Sequence, residues 1–140
     1  MKVLIDTNVV LDVLMNNPAG FVHSKKIFDF AEHKQIVGFI SASAITDIFY
    51  IAKRKLGKKT TKDAIKQVLS IFRPATVTDT HIYQALDLEW TDFEDSVQYT
   101  VGEGLAVDYI ITRNTQDFAL SSIPSVSPEQ FIQLVDDVEK

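Results

Sequence analysis

A three-layer α/β sandwich with a mainly parallel central sheet is the fold class this sequence predicts, and three observations predict it. Short apolar runs of strand length alternate with longer segments whose apolar residues recur at helical spacing. The runs Lys2 to Ile5, Ile36 to Ile40 and Asp108 to Thr112 are nearly continuous in apolar residues, as strands covered on both faces are. Strands alternating with helices build crossover units, and crossover units build a parallel sheet.

Each element has a local reason. Val3-Leu4-Ile5 forms the first strand, and Val9 to Met15 continues as a helix. Val22 to Ala31 sets Ile27, Phe28 and Ala31 on one face of a second helix. Ile36 to Ile40 is the second strand, and Ala42 to Lys55 carries Ile45, Ile48, Phe49 and Ala52 at helical spacing. Thr60 with Asp63 resembles an N-terminal cap before Ile65, Val68, Leu69 and Phe72. The β-branched Thr76 to Thr78 predicts a third strand, followed by a helix from His81 to Leu88. Thr91 with Glu94 has the form of a capping box for a helix from Asp95 to Leu105, and Gly102 and Gly104 are read as its end. Asp108 to Thr112, a brief Ser125-Val126 strand and a helix from Pro128 to Val135 complete the chain.

Composition bounds the function. The 140 residues, 46% of them hydrophobic, suit one compact domain spanning 1–140 with a sizeable core. No cysteine is present, which excludes a disulfide scaffold, an Fe–S cluster and a zinc-thiolate site and fits a reducing compartment, so cytoplasm is the default expectation. No run approaches the roughly 20 apolar residues of a membrane span. The net charge of −5 argues against indiscriminate polyanion binding, but its distribution is uneven. Lys53, Arg54, Lys55, Lys58, Lys59 and Lys62 form a basic cluster, which serves either to contact a polyanion or to face solvent at a helix end.

Ligands in open α/β sheets bind beyond the carboxyl ends of the strands, and acids recur there. Asp6 follows the first strand, Asp47 lies in the helix after the second, Asp92 and Asp95 precede a helical stretch, and Asp117 follows the fourth strand. Distant carboxylates gathered on one sheet edge suit Mg²⁺ or Mn²⁺, which take oxygen ligands and can activate a water against a phosphodiester. Each acid also has a plainer use. Asp6 serves equally as a helix cap, Asp92 and Asp95 as acids favoured at a helix start, and Asp117 as a turn residue. Asp47, set among Ile45, Ile48, Phe49 and Ile51, needs a cation or an ion pair such as Arg54. His23, His33 and His81 show no ligand spacing and are read as exposed polar surface.

Together these residues resemble a PIN domain: Asp6-Thr7-Asn8 after a strand, an acid in the helix after the second strand, the Asp92-Phe93-Glu94-Asp95 cluster, and Thr112-Arg113-Asn114 with Asp117-Phe118. The resemblance covers essentially the whole chain and is closest to stand-alone bacterial PIN proteins related to VapC-type toxins. It implies a Mg²⁺- or Mn²⁺-dependent endoribonuclease. Under it, Asp6, Asp47 and Asp95 hold metal, and Asp92 and Asp117 support metal or water. Asn8 orients the first acid or a metal-bound water, and Thr112 closes the fourth strand. Relatives more often have Glu where Asp47 stands and Asp where Asn114 stands, so Asn114 removes a charge that Asp117 is expected to restore. The implied partners are RNA, contacted by Lys53, Arg54, Lys55, Lys58 and Lys59, a small antitoxin, and a second copy of the chain. Phe21, Phe28, Phe30 and Tyr50 could face that copy or the core. A second reading keeps the fold as a catalytically degenerate binding module. A third, a phosphoester hydrolase, is disfavoured because neither Gly102-Glu103-Gly104 nor Gly57 has the strand context of a phosphate loop.

Overall fold

A computed structural model describes residues 1–139. Five strands, β1 (Lys2–Ile5), β2 (Val37–Ser41), β3 (Arg73–Ala75), β4 (Tyr109–Ile111) and β5 (Ser125–Val126), form one sheet in the order β3-β2-β1-β4-β5. Every pairing is parallel. The helices are α1 (Thr7–Leu14), α2 (Phe21–Glu32), α3 (Ala42–Leu56), α4 (Lys58–Ile71), α5 (Asp79–Asp87), α6 (Phe93–Leu105) and α7 (Pro128–Glu139), with a short 3₁₀ turn at Thr115–Phe118.

The strand period of two divides the core between the sheet's faces. Val3, Ile5, Ile40 and Ile111 point to one side, where they meet Val9 and Val10 of α1, Ile27 and Phe28 of α2, Ile48 of α3, Val68 of α4 and Phe131 of α7. Leu4, Phe39, Ala75 and Ile110 point to the other and meet Tyr99 and Val101 of α6 and Phe118. The central strands are buried on both sides, and that explains their unbroken apolar sequence. Phe28 and Phe30 belong to this core, Phe21 is half-buried, and Tyr50 is 63% exposed. No helix among the described residues is long and apolar enough to cross a membrane.

Several boundaries correct the sequence reading. The third strand is Arg73–Ala75 and not Thr76 to Thr78. Pro74 fits in β3 because this is an edge strand, where a missing N–H is tolerated, and the Thr78 hydroxyl is engaged in capping α5 together with His81. His81 is thus a half-buried capping residue and not merely exposed surface. Helix α4 starts at Lys58 directly after Gly57 (φ 82°), so Thr60 and Asp63 lie inside it and cap nothing. The cap of α6 is Asp92, whose Oδ1 accepts from the Asp95 N–H at 3.0 Å, so Thr91 with Glu94 makes no capping box and Glu94 is released for other contacts. Gly102 and Gly104 lie within the last turn of α6, and the left-handed residue that ends it is Ala106 (φ 54°).

Candidate active site

The register Ile5↔Ile111 sets the residues after β1 and β4 side by side, so Asp6 lies next to Thr112. Asp6 caps α1 and is only 6% exposed. Its carboxylate is held from four directions. Oδ1 accepts from the Thr7 N–H at 2.7 Å and from Gln98 Nε2 at 2.9 Å, while Oδ2 accepts from Thr112 Oγ1 at 2.7 Å and from Asn8 Nδ2 at 3.3 Å. Asn8 reaches back across the edge, where its Oδ1 accepts from the Arg113 N–H at 3.2 Å. Asn114 contributes its backbone, donating to Thr112 Oγ1 at 3.0 Å, while its side chain is exposed. A carboxylate tied by this many donors cannot rotate, and its position is set before any ligand arrives.

Asp47 lies in the second turn of α3, half-buried, and its carboxyl meets that of Glu94 on α6. Burial, the hydrogen bond that its protonated form donates to Asp47 and the nearby charges of Asp47, Asp6 and Asp92 push the Glu94 carboxyl up to about 8. Burial together with Asp6, Asp92 and Asp117 raises Asp95 to about 7. Those fields place all the acids in one electrostatic neighbourhood. Asp117 belongs to it although Asn114 carries no charge. Asp92, Asp95 and Asp117 also line a cleft of about 310 Å³ whose wall includes Trp90, stacked on Tyr99 and edge-on to Phe118. A larger groove of about 920 Å³ opens between α2, α4 and the amino end of β2, away from the acids, so size alone does not mark the site.

The donor set is all oxygen, and like charges this close favour a cation among them. Among the described residues, three buried side-chain oxygens, Thr7 Oγ1, Glu94 Oε1 and Gln98 Oε1, have no hydrogen-bond partner, and each belongs to a residue adjoining Asp6 or Asp47. These observations fit a hard divalent ion in chemistry. Among the described residues, however, no three acids already surround one point at which an ion would be held.

Other expected residues lie elsewhere. Lys53, Arg54 and Lys55 occupy the last turn of α3 and Lys58 and Lys59 the first of α4; at 1.5 Å per residue the former sit about 9–12 Å beyond Asp47. The ion pairs among the described residues are Lys25–Asp29 and Arg113–Asp12, so Arg54 does not neutralise Asp47. Three contributors were not singled out from the sequence. Glu94 was assigned to a cap. Gln98, fully buried, is a polar residue between Val97 and Tyr99 and lies one turn beyond Glu94, a position that could have flagged it. Asp12, 1% exposed in α1, sits amid the apolar residues Val9, Val10, Leu11 and Val13 and so carried the same signal of a buried charge needing a partner.

Comparison with known proteins bears on the fold and the family. Among solved structures, the chain is similar to a toxin–antitoxin complex from Klebsiella pneumoniae at 24% identity and TM-score 0.67, covering 90% of this chain and 97% of that one. It is similar to VapBC2 from Rickettsia felis bound to a promoter DNA fragment, at 12% identity and TM-score 0.71, covering 91% and 98%. Mycobacterium tuberculosis VapC20, described as a sarcin–ricin loop cleaving toxin, matches at 16% identity and TM-score 0.63 over 77% and 86%. At these identities the likeness is one of fold. Curated proteins give no match. A family model described as PIN domain matches residues 2–116, most of the chain, and the chain therefore belongs to the PIN-domain family.

Proposed function

We propose that this PIN domain is a Mg²⁺- or Mn²⁺-dependent endoribonuclease and the toxin of a toxin–antitoxin pair. The observation that carries the reading is Asp6, a buried carboxylate locked by four donors at the centre of a group of acids from three other parts of the chain. Such an arrangement is electrostatically costly in an empty protein and is relieved by a divalent cation. Asp6, Asp47, Asp95 and Glu94 would hold that cation, which supplies an activated water and offsets charge on the leaving oxygen of a phosphodiester.

The chain's own residues have definable tasks. Thr112 and Gln98 fix the two oxygens of Asp6, and Asn8 ties the ends of β1 and β4 together through Arg113. In the metal-free protein burial and the surrounding acids push the Glu94 carboxyl up to about 8, so at neutral pH it keeps a proton with which to donate to Asp47. Asp95, raised to about 7 in the metal-free protein by burial and by Asp6, Asp92 and Asp117, stands beside the Trp90 cleft, where a cation would favour its ionised, ligating form. The antitoxin partner is supported by the Klebsiella structure, a toxin–antitoxin complex by its description. A homodimer and a cytoplasmic setting are proposed on family grounds alone.

A second reading, a degenerate PIN module that binds RNA without cutting it, is favoured by two observations: Asn114 leaves a charge out of the rim, and among the described residues the acids do not already enclose an ion site. Incubation of labelled single-stranded RNA with the purified protein in Mg²⁺, Mn²⁺ or EDTA, beside an Asp6→Asn variant, separates the two. Cutting that needs metal and is lost in the variant is expected; RNA retained intact under every condition would favour the binding module.

A further inference from the structure

Arg113 stands at the acidic rim between Thr112, which binds Asp6, and Asn114. Its backbone is tied to Asn8, and its side chain reaches α1, where Nε lies 2.9 Å from Asp12 Oδ2. Asp12 is fixed more tightly than an ordinary ion-pair partner. It is 1% exposed, accepts from Asn17 Nδ2 at 2.9 Å and from Ser24 Oγ at 2.9 Å, and leaves no room for any side chain at Gly20, whose Cβ would lie 2.0 Å from it. The Arg113 side chain is 37% exposed, and its Nη groups make no hydrogen bond among the described residues. The guanidinium thus meets a buried acid at Nε while more than a third of the side chain stays open to solvent.

An RNA strand approaching this edge meets carboxylates almost everywhere, and the basic cluster on α3 and α4 begins about 9 Å beyond Asp47. Arg113 is a cation that the fold itself ties to the rim. Guanidinium presents paired donors that match phosphate oxygens, and a buried acid behind Nε spares it the loss of side-chain freedom on binding. We propose that Arg113 contacts a backbone phosphate of the substrate flanking the scissile position, with Asp12 as its positioning residue. The proposal rests on the ribonuclease reading above. At the carboxyl end of α1, Lys55 Nζ donates to Met15 O at 3.0 Å, so a member of the basic cluster also meets this helix.

The test is fluorescence anisotropy with a labelled single-stranded RNA across a salt series, in EDTA so that nothing is cut, followed by steady-state cleavage in Mg²⁺. Arg113→Gln alone would strand a buried charge at Asp12, so the informative protein is the double variant Asp12→Asn/Arg113→Gln, checked for folding by circular dichroism. One lost phosphate contact should lower the salt slope by about 0.7, which is about a fivefold weakening per decade of salt. KM should rise by a similar factor with kcat little changed. Asp12→Asn alone keeps the cation and loosens its aim, so binding should weaken with the salt slope preserved. A folded double variant with wild-type affinity and slope would overturn the proposal and leave the pair as a structural strut. If wild-type protein neither binds nor cuts RNA, the ribonuclease reading falls first and the proposal with it.

Discussion

Crowding of the acids should make the metal-free protein lose stability as pH rises, and Glu94 is the residue that reports it. Its folded carboxyl is raised to about 8 from an ordinary 4.5, and Asp95 to about 7 from 3.8. The folded state therefore keeps protons that the unfolded chain releases. Stability from these groups is highest below the unfolded values near 4, declines as pH climbs toward 7 and 8, and is flat above. Taken at face value, shifts of about three units each would correspond to about 4 kcal/mol per group. Both side chains are only half-buried, so screening by water and salt reduces this to about 1 kcal/mol each. For a chain of this length a total of about 2 kcal/mol lowers Tm by about 6 °C. Thermal unfolding in EDTA from pH 5 to pH 9 should show that fall in wild type, and Glu94→Gln, which keeps a donor for Asp47 but cannot ionise, should lose roughly half of it. Saturating Mn²⁺ should flatten the wild-type profile. Wild type and Glu94→Gln declining in parallel across the whole range would refute the reasoning.

Thr112→Val keeps the shape of the side chain but removes the donor to Asp6 and the acceptor for the Asn114 N–H; urea unfolding should show a loss of about 1–3 kcal/mol, and RNA cleavage should fall as well. Gly20→Ala should be far more disruptive than its size suggests, about 3 kcal/mol or more, because the new methyl would overlap the Asp12 carboxylate; urea unfolding and soluble yield check it. Mn²⁺ at about a hundred times its dissociation constant should stabilise wild type by about 2.7 kcal/mol, and a thermal shift should show little gain for Asp95→Asn.

The architecture was legible because its signals are local. Continuous apolar strands at β1, β2 and β4 and amphipathic helices between them leave a parallel sheet as the consistent arrangement. The acids at the carboxyl edge could be read from strand ends alone, and the PIN resemblance set them in order. Residues whose role depends on tertiary neighbours were lost. Thr76 to Thr78 has strand propensity, yet Thr78 caps α5 and an edge position admits Pro74 into β3. Glu94 was misread because Asp92 takes the cap, which is visible only when the backbone of α6 is in place. Gln98 and Asp12 carry no motif, and their partners Asp6 and Arg113 lie 92 and 101 residues away in sequence. A buried polar residue on an apolar helix face announces that it has a partner without naming it.

The central claim is hydrolysis of RNA by metal-activated water at the acidic rim, and the chemistry of the product ends tests it most directly. Mass spectrometry of fragments from a defined single-stranded RNA, cut by wild type in Mg²⁺ or Mn²⁺, should find 5′-phosphate and 3′-hydroxyl termini, with no fragments from Asp6→Asn or in EDTA. Fragments ending in 2′,3′-cyclic phosphate, or cutting that persists in EDTA, would contradict the account.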